Sequence, residues 1–292
     1  MSALAPTTPR TPQADADWDR RHVLLTNLRS VGGRAYPRVF GTMREKSWVF
    51  FEIALPFLTM SAFVFVYRAI QAPEEYIGFV VLGGALAAFW LNIIWMMAAQ
   101  LYWEKDQGNL ELYFASPVDM MSVLLGMAVG GLYMSATRAA VILIVGTIVY
   151  GVTFSVDQWG LLLLVFFLTL TALYGLGMML ASLFVLWGRE AWHLTQLLQE
   201  PVYFVSGLNF PVGRLGFIGA LAIAIIPLAV GLDAMRQLAF ASTIGPTGTP
   251  SPEVEALSLV AMTVVVLWLA RTMLRILERL AREQGRLSAR WR

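Results

Sequence analysis

Between Val49 and Ala270 the chain is a succession of apolar stretches, most of them about as long as a lipid bilayer is thick. In hydrocarbon a backbone must satisfy its own N–H and C=O groups, so it spans only as a helix or a closed barrel. Runs of about 20 apolar residues select the helix. Charge is distributed to match. Of 21 Lys and Arg, eight precede Val49 and seven follow Ala270. Apolar residues make up 58% and charged residues only 14%, whereas soluble domains are about a quarter charged. The fold class that follows is an all-α membrane protein.

Spans are predicted at 49–67, 76–101, 117–150, 159–187, 194–210 and 256–272. The stretch 192–232 holds two apolar pieces divided by "NFPVGRLG". Counting both as crossings would put the two basic termini on opposite sides, against the positive-inside rule. Residues 194–210 are therefore the fifth crossing, and 216–232, broken by Pro227 and glycines, form outer re-entrant helices. Irregular backbone at that depth requires cover by protein or a water-filled cavity. Six crossings leave seventeen Lys and Arg inside, counting Lys105 and Arg189, against Arg68, Arg214 and Arg236 outside and Arg138 within a span. Both termini are then cytoplasmic. Residues 1–34 are expected to be a basic, largely disordered tail, and 277–292 a basic cytoplasmic tail. Residues 35–47 show helical spacing of Tyr36, Val39 and Phe40, with Pro37 in the first turn. They are expected to form an interfacial amphipathic helix. The first apolar run begins too far along the chain for a cleaved signal peptide.

The cytoplasmic connector "EKDQGNLELYFASPVD", Glu104–Asp119, carries more pattern than a turn needs. Ser116-Pro117-Val118-Asp119 has the form of a capping box opening the third span. Upstream, Gly108 permits a turn and Asn109 can cap a short helix to Ala115. Leu110, Tyr113 and Phe114 would share one side of that helix, with Glu111 on another. An apolar face bordered by carboxylates suits docking onto a cytoplasmic protein; the alternative is a helix resting on the bilayer surface.

Glu104–Val118 resembles the "E-x-E-x-G-T-L-E-x-L-x-x-S-P" segment of ABC-2-type transporter permeases, matching at Glu104, Gly108, Leu110, Glu111, Ser116 and Pro117. It departs at Asn109, where Thr is usual, and at Asp106, where Glu is common. A second segment, "PVYFVSGLNFPVGRLG" through "IIPLAVGLDAMRQLA", is similar to the family's fifth span, its Gly/Pro break and its outer re-entrant helices. The resemblance covers about residues 35–275. It implies a six-span permease domain over 48–276, with a coupling helix that contacts a separate nucleotide-binding ATPase subunit, present as two copies or two related chains. It also implies a second permease, identical or related, and a bacterial cytoplasmic (inner) membrane. Glu104, Gly108, Asn109, Leu110, Glu111, Tyr113 and Phe114 are the expected coupling residues.

The chain has no G-x-x-x-x-G-K-[ST] phosphate loop. ATP and Mg are therefore expected on the partner subunit, with no cofactor in this chain. There are no cysteines, and the two histidines, His22 and His193, are far apart. No metal or catalytic constellation is expected, and the basic ends serve topology and membrane lipid rather than nucleic acid. A secondary transporter or channel is the alternative, for which buried carboxylates would be the mark. Glu52 lies one turn into span one and is expected to be structural. Glu200 is open between a packing hydrogen bond and a gate. Arg138, well inside span three, is expected to line a route towards the outer leaflet and to have no pair with Glu200. Phe210, Pro211 and Pro227 mark the expected outer gate. With few polar residues in the spans, an amphiphilic or lipid-linked cargo is favoured.

Overall fold

The computed structural model describes residues 12–44, 46–116, 118–187, 190–240 and 249–284. The described chain is helical almost throughout: α1 (Pro12–Arg44), α2 (Lys46–Ala69), α3 (Glu75–Asn92), α4 (Gln100–Asp106), α5 (Asn109–Ala115), α6 (Met120–Tyr150), α7 (Trp159–Trp187), α8 (Glu190–Val205), α9 (Phe217–Ile225), α10 (Pro227–Ala239) and α11 (Pro252–Gln284). A π turn over Ile93–Met97 joins α3 to α4, so Glu75–Asp106 is one apolar helix of 32 residues. Four more helical stretches are long and apolar enough to cross a membrane: Val49–Ala69, Met120–Tyr150, Trp159–Val185 and Pro252–Leu277.

The contacts settle the region that the sequence left hardest to count. At one end of the bundle the Arg68 guanidinium donates to the Tyr150 carbonyl (3.4 Å), and Tyr67 hydroxyl donates to the Asn209 carbonyl (2.9 Å). At the opposite end Lys105 donates to the Val185 carbonyl (3.4 Å). Helix α8 leaves the Lys105 end, and the turn after it reaches the Tyr67 end. It therefore traverses the bundle, although at 16 residues it is short. Beyond it, α9 and α10 meet at an angle of 105°. Pro227 opens α10, its missing N–H falling where a helix start needs none. Gly231 lies against Thr169, well inside α7, yet the Ala239 carbonyl accepts from Ser155 N (2.9 Å), back at the Tyr67 end. A segment that enters and leaves at one end is a re-entrant hairpin, as the Gly/Pro break predicts.

Three boundaries differ from the sequence reading. Helix α1 is one helix from Pro12 to Arg44, with Pro37 in its interior, where the sequence suggested a disordered tail and a helix only over 35–47. It packs along α6 and does not simply rest on lipid. The small residues of α6 allow this close approach: a Cβ on Gly126 would lie 2.7 Å from the Val31 carbonyl oxygen, and one on Gly130 would lie 3.1 Å from Arg38. Helix α6 starts at Met120 with Asp119 as its cap, the side chain accepting from Met121 N (3.1 Å). The expected capping box is not used; Ser116 instead donates to the Tyr113 carbonyl at the end of α5 (2.8 Å). Pro117 and residues 1–11 lie outside the described residues, as do 285–292 of the basic tail, whose first part continues α11.

At the hairpin end the packing is backbone on backbone. A Cβ on Gly83 of α3 would overlap the Leu208 carbonyl oxygen and press on Arg236. Gly83→Ala is expected to destabilise by about 3 kcal/mol, as overpacking against backbone does. By contrast, Gly41→Ala on α1, where an added Cβ meets nothing within 4 Å, is expected to be neutral or slightly stabilising. Melting curves of the detergent-purified variants provide the comparison.

Candidate functional site

The site begins at the elbow between α4 and α5. Gly108 adopts φ 76°, a left-handed conformation that costs a residue without a Cβ little, and it turns the chain sharply. Gly108, not Asn109, occupies the capping position. The Asn109 side chain instead donates to Glu104 Oε2 (3.0 Å).

Glu104 is the hub of this elbow. It is buried, at 5% exposure. One oxygen forms an ion pair with Arg34 of α1 and accepts from Gln100 Nε2 (3.1 Å). The other accepts from Asn109 and from the Tyr113 hydroxyl (2.9 Å). Burial, and the hydrogen bond donated to Glu104, push the Tyr113 phenol up to about 12, so it remains a donor at any working pH. The Arg34 guanidinium also lies over the Tyr113 ring, 5.1 Å from its centroid. Three helices, α1, α4 and α5, thus converge on one carboxylate whose charge is compensated.

The predicted coupling residues fall on different sides of α5. Leu110 is 1% exposed and belongs to the bundle core. Leu110 and Tyr113 therefore fasten α5 to its own chain and are not on its free face. Residues three apart on a helix share a face, and the apolar one is buried here. The outward face is marked by Leu112, 67% exposed, with Asp106, Gln107 and Gly108 exposed beside it. The side chains of Glu111 and Phe114 lie outside the described residues.

A second polar cluster lies deeper. Arg138 of α6 forms an ion pair with Glu52 of α2. The sequence assigned no partner to Arg138 and placed it towards the far leaflet. The pairing moves it. Glu52 is six residues, roughly 9 Å at 1.5 Å per residue, from the start of α2, so the pair sits nearer the elbow end. An unpaired guanidinium in hydrocarbon is costly, and the carboxylate offsets that cost. Arg38 of α1 extends the first cluster towards α6, donating to Gln100 Oε1 (3.2 Å) and to the Met127 carbonyl (3.4 Å). Burial lowers the Arg38 pKa from its ordinary value, although Tyr174 and Glu52 act against it. Glu200, by contrast, is exposed on α8 and accepts from Gln199 (3.0 Å); it is placed in neither cluster.

Above the Glu52–Arg138 pair lies a cavity of about 610 Å³. Aromatic rings of Phe51, Trp95, Trp103 and Tyr203 line it, and it extends to Asn209. Phe51 and Leu55 on its rim are more than half exposed, so it opens at the surface along α2.

The hairpin closes the far end. Arg236 of α10 is 1% exposed and donates to four carbonyls: Gly207 (2.7 Å), Phe210 (3.0 Å), Leu208 (3.0 Å) and Phe79 (2.9 Å). Phe210 and Pro211, candidates for an outer gate, lie at the turn that Arg236 fastens. The Gln237 amide nitrogen, within 3.3 Å of Asp233, Thr249, Pro250 O and Glu255, ties the hairpin to the start of α11.

Sequence reasoning missed Arg34, Arg38 and Gln100. The spacing of Arg34 and Arg38, four apart and hence on one helix face, marks a basic stripe but does not name the segment it meets. Compared with known proteins, the profile of the ABC-2 type transporter family matches residues 39–240, from the last turns of α1 to the end of the hairpin. No curated protein matches the chain.

Proposed function

The chain belongs to the ABC-2 type transporter family, and from that membership we propose that it is the permease subunit of an ATP-driven exporter. It is a multi-pass membrane permease, and the matched region is a membrane domain, not an ATPase domain. In this reading a separate ATPase, as two copies or two related chains, binds beneath α5. A second permease packs alongside, and an amphiphilic or lipid-linked compound moves outward across a bacterial cytoplasmic membrane. Both termini are then cytoplasmic, at the elbow end.

The observation that carries the reading is the construction of the elbow. A helix of seven residues hangs from the bundle by Leu110 and the Glu104 hub and presents Leu112 outward. A push on α5 reaches α1 through Arg34. It also passes through Gln100 to Arg38 and the Met127 carbonyl of α6, the helix that carries Arg138. Apolar residues on α2 and α8 beside the cavity, Leu55, Leu58 and Phe204, are exposed; this supports a second permease completing the route there.

The test is co-purification of the chain in detergent with its ATPase, followed by Leu112→Glu. Replacing a docked leucine with a carboxylate is expected to lower bound ATPase and permease-stimulated ATP turnover at least tenfold, while the melting temperature of the permease stays unchanged. Unaltered turnover would remove α5 as the docking point.

A further inference from the structure

The cavity above the ion pair has the volume of a site for a drug-sized molecule. Along α2 its lining runs from Phe51 to Met60, nine residues or roughly 13 Å of helix. Flat ring surfaces make up much of its wall. Hydrogen-bonding points on the wall are uncharged, from Thr59, Asn92 and Asn209. The charges lining it are Glu52 and Arg138, one of each sign, already paired with each other. Arg38 lies behind the wall, engaged by Gln100 and the Met127 carbonyl.

That charge balance discriminates among ligands. An anionic head group at Arg138 would draw it from Glu52 and leave a carboxylate in apolar surroundings. An ammonium group at Glu52 would strand the guanidinium instead. Breaking a buried pair from either side leaves an uncompensated charge, the costly outcome. A ligand without net charge leaves the pair intact and uses the amides and hydroxyl for its own polar atoms.

We propose that this cavity is a binding site for uncharged amphiphiles, with a ringed apolar body and hydroxyl or amide groups, and that the Glu52–Arg138 pair is a charge filter against acidic and basic versions of the same body. The inference deepens the export reading by naming the class of cargo, and it rests on that reading for the cargo's fate. Binding itself needs no ATPase.

The experiment uses the full chain in phosphatidylcholine nanodiscs and three probes that differ only in the head group: 1-pyrenebutanol, 1-pyrenebutyrate and 1-pyrenebutylammonium, at about pH 8, where both ionisable probes are charged. Energy transfer from tryptophan to pyrene reports occupancy. Empty nanodiscs and the Trp95→Phe/Trp103→Phe variant supply the background. The alcohol is expected to bind at least tenfold more tightly than either ion. Glu52→Gln should bring the butyrate to parity or better, and Arg138→Gln should do the same for the ammonium. Should Arg138→Gln fail to fold, Glu52→Gln alone decides: butyrate at parity with the alcohol is expected, and an unchanged preference for the alcohol overturns the filter. A charged probe binding as tightly as the alcohol in the unaltered chain overturns the proposal, as does a head-group order indifferent to these variants. Selective alcohol binding without any co-purifying ATPase would instead count against export alone.

Discussion

Arg236→Met is expected to cost the protein on the order of 3–5 kcal/mol, because several buried carbonyls lose one charged donor together. The methionine fills much of the volume, so the loss is electrostatic and not a cavity. Four carbonyls, from Gly207, Leu208, Phe210 and Phe79, would lose their donor at once, and each buried orphan costs about 1–3 kcal/mol if nothing replaces the bond. Water entering from the hairpin end recovers part of this, which keeps the total below the sum. At about 2–4 °C per kcal/mol for a chain of this size, the melting temperature in detergent should fall by roughly 10 °C. Arg236→Lys should recover only part of the loss, because an ammonium offers three donors on a flexible stem and Arg236 uses a planar fork. A shift of about a degree or less in Arg236→Met would mean that the hairpin is held by its apolar contacts alone.

The second large effect is expected at Glu104, and it is functional. Glu104→Ala leaves the Arg34 guanidinium, the Asn109 amide and the Tyr113 hydroxyl without their common acceptor. The elbow should loosen by about 1–3 kcal/mol, the cost of donors left without their acceptor beside a partly exposed Arg34, and with it the path from α5 to α1. With the proposed ATPase bound, ATP turnover should become insensitive to cargo while binding of the ATPase persists, since the proposed docking face of α5 is untouched. Glu104→Gln should fall between, because its amide presents one acceptor and one donor to a ring of donors. A charge swap, Arg34→Glu with Glu104→Arg, should recover part of the coupling if the ion pair is the link. Equal coupling in Glu104→Ala and the unaltered chain would show that α5 works without the hub.

The sequence made the bundle legible because bilayer thickness turns apolar length into element length. The hairpin was legible because Pro227 and the glycines break an apolar run that charge asymmetry forbids as a crossing. The elbow was half legible. Gly108 and Glu104 stood out, yet which face of α5 turns inward depends on packing against α6 and α1, and Leu110 and Tyr113 went the opposite way from a docking face. Arg34 and Glu104 are 70 residues apart, and no local pattern announces such a pair. Arg138 was placed too far across because its depth was measured from Ser116. The first turns of α6 in fact run beside α1, so the helix has covered much of its length before it reaches Glu52. The extent of α1 was hidden for a related reason: its first half has no sustained apolar stripe, and its helical state accompanies packing on the small residues of α6.

The π turn over Ile93–Met97 has a consequence for how the elbow is aimed. Its bond from Ala98 N to the Ile93 carbonyl (2.9 Å) spans five residues, not four. One surplus residue at 3.6 per turn rotates everything after it by about 100°. The helix that lies at the heart of the bundle is therefore phased twice, once for the partners of α3 and again, a quarter turn on, for those of α4. Gly177, whose added Cβ would lie 2.9 Å from Met97 and 3.0 Å from Ile93, makes room for the swollen turn. Glu104 owes its bearing towards Arg34 to this dislocation, which ends seven residues upstream and out of sight of the hub itself.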